Sequence, residues 1–352
     1  MNISLLQPLG WSNYFTQEYY LNYQQNESEK SVTALFRITA IHRDRIEAFG
    51  EFGSASLISP STMQPVSEHL AVGDWVVAQQ ANEKYRICYI LQAKNRISRQ
   101  GKQGKQLIAA NLDYLWIVTS ANDEFNYKRL QRYLALAYDN QIEPMIILTK
   151  VDLCADIDIY LTQLEQLNVQ FYFPVCAQSM QDLAPLKSYC TAGTSIALVG
   201  SSGVGKSTLT NLLLGNDMQH TQTIREQDCK GKHTTTYRQL RYSSDNLAVI
   251  DTPGMRELLL DNAEAGIEMV FADIADLAIN CKFNDCSHQQ EPGCKVIDAL
   301  QKGELAQSHY DNYQKLLKEY AFQKRKELGS HAVNDHYRKF YKMINSMHKE
   351  TW

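Results

Sequence analysis

Long apolar runs are missing from this chain of 352 residues: nothing approaches the about 20 consecutive apolar residues of a membrane-spanning helix. The opening stretch, MNISLLQPLGWSNYF, lacks the basic start and apolar centre of a secretory leader, so a cytoplasmic protein with no membrane contact is expected. A disulfide framework is missing too. Eight cysteines in a chain of this length and character read as reduced thiols. Nor is there an overall excess of positive charge, since 35 Lys and Arg stand against 39 Asp and Glu, for a net charge of −4. That excludes a protein that is basic throughout, yet the sign is uneven. Residues 94–112 hold five basic residues and no acidic one, and 315–350 hold nine basic against four acidic. Local surfaces of this kind neutralise phosphates even on an acidic protein.

What is present is sharper. Gly200, Ser201, Ser202, Gly203, Val204, Gly205, Lys206, Ser207 and Thr208 read GSSGVGKST and fit G-x-x-x-x-G-K-[ST] at all four fixed positions. The apolar run SIALV leads in and TLTNLLL leads out with helical character, giving strand, loop, helix. In that context backbone N–H groups and a helix N-terminus face a phosphate, Lys206 reaches the outer phosphates and Ser207 ligates Mg²⁺.

In chain order, residues 1–30 are rich in Asn, Gln and Tyr and read as a helical or loosely docked arm. Over 31–93 the runs VTALFRITAI, RIEAFGEF, DWVVAQQ and YRICYILQA, broken by turn residues such as Gly73-Asp74, predict an OB-like β-barrel. Such barrels bind oligonucleotides on one face, the alternative being a barrel that only packs on its neighbour. Residues 94–106 read as a basic linker. Strand and helix then alternate over 107–262, which predicts a parallel, doubly wound sheet. Strands are expected at 114–119, 144–148, 169–175, 195–199, 237–242 and 247–250, and helices at 127–140, 157–167 and 180–190.

Three strand ends carry further chemistry. Thr149-Lys150-Val151-Asp152 matches [NT]-K-x-D, in which the carboxylate accepts from the guanine N1–H and 2-amino group and Lys150 covers the base plane; adenine would leave Asp152 unpaired. Cys176-Ala177 stands where a Ser-Ala loop gives a backbone N–H to the guanine oxygen. Asp251-Thr252-Pro253-Gly254 ends another strand; Asp251 is expected to hold Mg²⁺ through water and the Gly254 N–H to touch the γ-phosphate. Between these, GKHTTT offers Thr234 or Thr235 as a Mg²⁺ ligand. The residue after Gly254 is Met255, which cannot orient a water as Gln does, so slow intrinsic hydrolysis is expected, with His233 as the replacement.

The motifs run TKVD, Cys-Ala, phosphate loop, Thr loop, DTPG: a circularly permuted order of an ordinary GTPase. The γ-phosphate-sensing segment therefore runs on into residues 263–352, a mainly helical region opening with Cys281-x4-Cys286-x-His288-x5-Cys294. Three thiolates and an imidazole make the closed shell of one structural Zn²⁺. A continuous helix is expected over 299–325, followed by a basic, aromatic tail suited to RNA or to a partner helix.

Barrel, permuted P-loop GTPase and Cys₃His region in this order resemble the small-ribosomal-subunit-dependent GTPases of the RsgA/YjeQ family, through Ala110-Asn111-Leu112-Asp113, GSSGVGKST, GKHTT, DTPG and the cysteine spacing. The resemblance runs from about residue 30 onward. It implies a bacterial factor, monomeric, that binds GTP or GDP with Mg²⁺, docks on the maturing small ribosomal subunit and its rRNA, is stimulated by it, and leaves on hydrolysis, with His233 in the catalytic position. The alternative is a GTP-dependent switch on another RNA, with hydrolysis serving only as a timer.

Overall fold

A computed structural model describes residues 2–24, 33–42, 45–60, 62–63, 65–81, 84–101, 104–178, 180–215, 238–251, 258 and 263–328. The chain divides into two compact units, one of Met1–Phe125 with Asn140–Leu258, the other of Asn126–Asp139 with Leu259–Trp352.

The first unit begins with the arm. Helices α1 (Ile3–Leu6) and α2 (Asn13–Glu18), with the turns that flank them, bury Leu6, Leu9, Trp11, Phe15 and Tyr23 against Leu35, Trp75, Val77 and Leu91, so the arm is docked rather than loose. Trp11 meets Trp75 edge-on at 4.9 Å. Strands β1 (Thr33–Ile41), β2 (Ile46–Gly50), β3 (Gly53–Ile58), β4 (Trp75–Ala81) and β5 (Lys84–Ile90) follow, with the short helix α3 (Val66–His69) between β3 and β4. They pair in the order β1-β2-β3-β5-β4, and β4 returns to β1 from Thr33↔Gln79 to Arg37↔Trp75, which closes the barrel. β2 alternates buried and half-buried residues, and Phe36, Ile38, Ala48, Leu57, Val76 and Ile87 fill the interior. β3, GSASLI, carries small residues whose β signal is weak.

Most of the basic stretch expected as a linker is instead a hairpin, β6 (Arg96–Gly101) with β7 (Gly104–Ala110), in register from Arg96↔Ala110 to Gly101↔Gly104. Its charges suggested solvent, but Ile97, Leu107 and Ile108 are buried, and they give the hairpin a packing face.

The barrel sheet continues, through β12 beside β1, into β8 (Tyr114–Ser120), β9 (Glu143–Thr149), β10 (Tyr172–Pro174), β11 (Ser195–Val199), β12 (Gln239–Tyr242) and β13 (Ala248–Asp251), in the order β10-β9-β8-β11-β13-β12. All neighbours are parallel except β12, which is antiparallel to β13 and also meets β1 at Ala40↔Gln239. Helices α5 (Asp158–Glu165) and α6 (Lys206–Leu214) belong here. The helix expected at 180–190 is a run of 3-10 turns, Met180–Tyr189, because Pro185 lies inside it and has no N–H for an α-helical bond. The strand expected at 169–175 shortens to three residues.

The second unit contains α4 (Tyr127–Asp139), α7 (Glu264–Val270), α8 (Ala272–Ile279), α9 (Lys295–Lys302) and α10 (Gln307–Leu328). The single helix expected over 299–325 is two. Gly303, at φ 75°, ends α9: its N–H bonds Leu300 O at 3.2 Å and the Glu304 N–H bonds Ala299 O at 2.9 Å, the paired bonds of a left-handed C-terminal cap. α4, expected within the 107–262 domain, groups with the C-terminal helices. A Cβ on Gly266 of α7 would lie 2.1 Å from Ala135 O, so α4 and α7 touch backbone to backbone.

Candidate functional site

Because the strands from β10 to β13 are parallel, their carboxyl ends share one rim, and this is why the motifs meet despite their permuted order. Thr149 ends β9, Cys176 and Ala177 follow β10, the 200–208 loop follows β11, and Asp251 ends β13. Thr149 is buried, and its hydroxyl lies 3.0 Å from Thr119 O and 2.7 Å from Val204 O. Its single proton serves one carbonyl at a time, tying the end of β9 to β8 and to the 200–208 loop.

In that loop Gly200 lies so near β8 that a Cβ would stand 2.1 Å from Val118 O, and its φ of 143° is one that side chains rarely adopt. Val204 is buried and pins the loop, while Ser202, Gly203, Ser207 and Thr208 are exposed. No side chain caps the start of α6, which leaves its first N–H groups turned toward the loop. The Lys206 ammonium folds back onto the carbonyls of Gly200 at 3.0 Å and of Ser201. A glycine-bearing turn that opens a helix, with a lysine at its mouth, has the form of a site for an anion of phosphate size.

Asp152 is the middle residue of the turn Val151–Leu153 that follows Lys150, whose φ of 58° is left-handed. Two groups of the loop after β10 face its carboxylate. Gln178 Nε2 donates to Oδ2 at 2.8 Å, and the Cys176 thiol is hydrogen-bonded to the same group. Desolvation first, and then this bond and the nearby negative charge, hold that thiol above its ordinary range, hence protonated at neutral pH. The Gln178 contact was not foreseen from sequence; its only signal is its place directly after the Cys-Ala pair.

Of the remaining expected site residues, His233, Thr234, Thr235 and Gly254 lie outside the described residues, and Asp251 is described only as the end of β13. The residues flanking those segments are anchored on the β6–β7 hairpin. Arg238 donates to Leu107 O at 2.8 Å and to Gln106 Oε1 at 3.1 Å, Arg99 reaches the same Oε1 at 3.3 Å, and buried Leu258 bridges Arg99. Burial, then the like charge of Arg99, lowers Arg238 to about 10.

In the second unit Cys281, Cys286, His288 and Cys294 converge with all four ligand atoms within 4.8 Å of one another. Cys281 Sγ lies 3.8 Å from Cys294 Sγ and 3.6 Å from His288 Nδ1, which is 3.4 Å from Cys294 Sγ. Burial, reinforced by the neighbouring thiols, pushes Cys286 up to about 12, so only a cation would hold that thiol as a thiolate. Glu291 braces the loop. Burial would raise its carboxyl, but the Ser287 hydroxyl and N–H, with the Gln289 N–H, outweigh this and bring it to about 2. The Tyr310 hydroxyl, from α10, donates to His288 O. Such a closed, largely buried donor set could hold one metal ion with no open position.

The family model described as RsgA GTPase matches residues 90–261. The chain is similar to the "Small ribosomal subunit biogenesis GTPase RsgA 2" of Vibrio vulnificus, 41% identical over 321 residues that take in 90% of this chain and 88% of that protein. Among solved structures it is similar to YjeQ from Thermotoga maritima, with TM-score 0.60 and 25% identity over 82% of this chain and 99% of that one. YloQ, a circularly permuted GTPase, aligns with TM-score 0.58 and 24% identity over 85% and 98%, a likeness that bears on the fold alone.

Proposed function

This chain belongs to the RsgA family of GTPases, and from that premise we propose that it acts late in maturation of the small ribosomal subunit, hydrolysing GTP when the subunit stimulates it and leaving once hydrolysis is done. One observation carries the reading: the likeness at 41% identity spans 90% of the chain, so barrel, nucleotide rim and Cys₃His loop are inherited together. The barrel and the metal loop grip ribosomal RNA, and the GTP-sensing segments between them set how firmly.

The rim supports a division of labour. Asp152 reads guanine, Lys150 covers the base, Thr149 braces the strand end, and the backbone at Cys176 and Ala177 meets the base oxygen. Residues 200–208 hold the phosphates, with Lys206 leaving its two carbonyls for the outer ones. Ser207, Thr234 or Thr235, and Asp251 are hard oxygen donors that suit Mg²⁺, which supplies charge neutralisation at the phosphates. The Gly254 N–H senses the γ-phosphate, and His233 orients the attacking water. The Cys₃His set is assigned to zinc. Tetrahedral zinc bonds to sulfur and nitrogen imply S···S edges of about 3.8 Å and S···N edges of about 3.5 Å, beside 3.8, 3.6 and 3.4 Å here.

Co-sedimentation with isolated small subunits, run with GDP and with a non-hydrolysable GTP analogue, tests the whole reading. Retention with the analogue and release with GDP is expected; no retention in either state would sink it. His233→Ala is expected to abolish subunit-stimulated turnover while GTP still binds, and stimulated turnover at the level of the unaltered protein would remove His233 from the mechanism.

A further inference from the structure

The carboxylate of Asp152 is held from the side. Gln178 Nε2 donates to Oδ2 at 2.8 Å, and its own backbone N–H donates to Asp182 Oδ2 at 2.9 Å. Just before it, Ala177 takes a left-handed φ of 54°. The turn and the Asp182 bond fix where Gln178 leaves the backbone, so its amide meets the carboxylate from a set direction. Neither residue is covered by the protein, and the contact faces the open rim.

A carboxylate reads guanine with two oxygens at once, one for N1–H and one for the 2-amino group. The terminal torsion of Asp is broad, so a carboxylate held by the Cys176 thiol alone still swings about that one bond and must be stilled when the base arrives. Each carboxylate oxygen has two lone-pair directions, so Oδ2 can keep the Gln178 amide and still accept from a base. Hypoxanthine, which has N1–H but no 2-amino group, uses one contact and gains less from a fixed plane.

We infer that Gln178 is a specificity-determining positioning residue: its amide fixes the plane of the Asp152 carboxylate and thereby sets the preference for guanine over hypoxanthine. The inference rests on Asp152 being the guanine reader.

The test measures dissociation constants of the full-length protein for GDP, IDP and XDP by titration calorimetry, with the wild type, Gln178→Ala, Gln178→Glu and Asp152→Asn. Gln178→Ala is expected to weaken GDP about three- to tenfold, the worth of one hydrogen bond, and IDP distinctly less, so the GDP/IDP preference narrows. Gln178→Glu keeps the shape, removes the donor and sets like charge against Asp152, and weakens GDP further. A loop that merely needs Gln178 for its shape would weaken both nucleotides equally; that result, or GDP binding as tight as wild type or tighter, overturns the proposal. Asp152→Asn separates the layers, because an amide there pairs with the 2-oxo group of xanthine. If it moves preference to XDP while Gln178→Ala leaves the GDP/IDP ratio intact, only the Gln178 role falls. If it does not move preference, the guanine reading falls and takes the Gln178 role with it.

Discussion

Arg37 carries a guanidinium into the interior with 1% of its surface exposed. It donates to Leu9 O of the arm at 2.6 Å, Gly73 O of the barrel at 3.3 Å, Asn111 O at 3.3 Å and Ser195 Oγ, at the root of β11, at 2.8 Å. One side chain thus joins the arm, the barrel and the strand that carries the phosphate loop. Nothing in VTALFRITAI says that its arginine points inward, because strand periodicity assigns a face and not a partner. Arg37→Met would keep the bulk but remove the guanidinium from Asn111 O and Ser195 Oγ, while Gly73 O keeps the Asn111 amide and Leu9 O the Tyr242 hydroxyl, so unfolding in urea should show a loss of about 2 kcal/mol. Arg37→Lys keeps the charge without the planar fork and should recover only part of it.

At the level of elements, α4 is the instructive case. Alternation of strand and helix put it in the nucleotide-binding domain, and its bounds were legible to within a residue. Its allegiance was not, since an apolar stripe does not say what covers it. Two polar residues decide it: buried Gln131 lies 3.0 Å from His309 Nδ1 and accepts from Asn312 at 2.7 Å, and Arg132 pairs with Glu319 at 2.7 Å. Gly266→Val should force α7 off Ala135 and cost about 2 kcal/mol through overpacking, seen as a lower melting temperature and as earlier proteolysis of the helices than of the barrel. The arm, by contrast, did announce its docking. Trp11, Phe15, Tyr19 and Tyr23 recur every fourth residue, a stripe that the surrounding Asn and Gln obscured.

For the whole molecule, the gathering of the 149–152, 176–177 and 200–208 segments on one rim could be read in advance because a parallel sheet puts every carboxyl strand end on one edge, whatever the order of the strands along the chain. The Cys₃His cluster could be read because its four residues fall within one short stretch. Neither rule says how a chain is shared between compact units, which tertiary packing decides. The metal should be one zinc per chain, and stripping it with a strong chelator at neutral pH should lower the helical circular dichroism signal and the melting temperature. GDP affinity should be nearly kept, because the residues that would bind the nucleotide belong to the other unit; loss of both together would mean that the two units fold as one.

The backbone passes between those units three times, at 125/126, 139/140 and 258/259. A gene shortened after residue 258 would therefore not yield a clean nucleotide-binding half. It would still encode α4, now without Asn312 and Glu319 for Gln131 and Arg132 and without Gly266 against Ala135. Recombination could not trade the metal-bearing part for another without carrying off a helix from the middle of its neighbour, so the two halves are bound to a common descent.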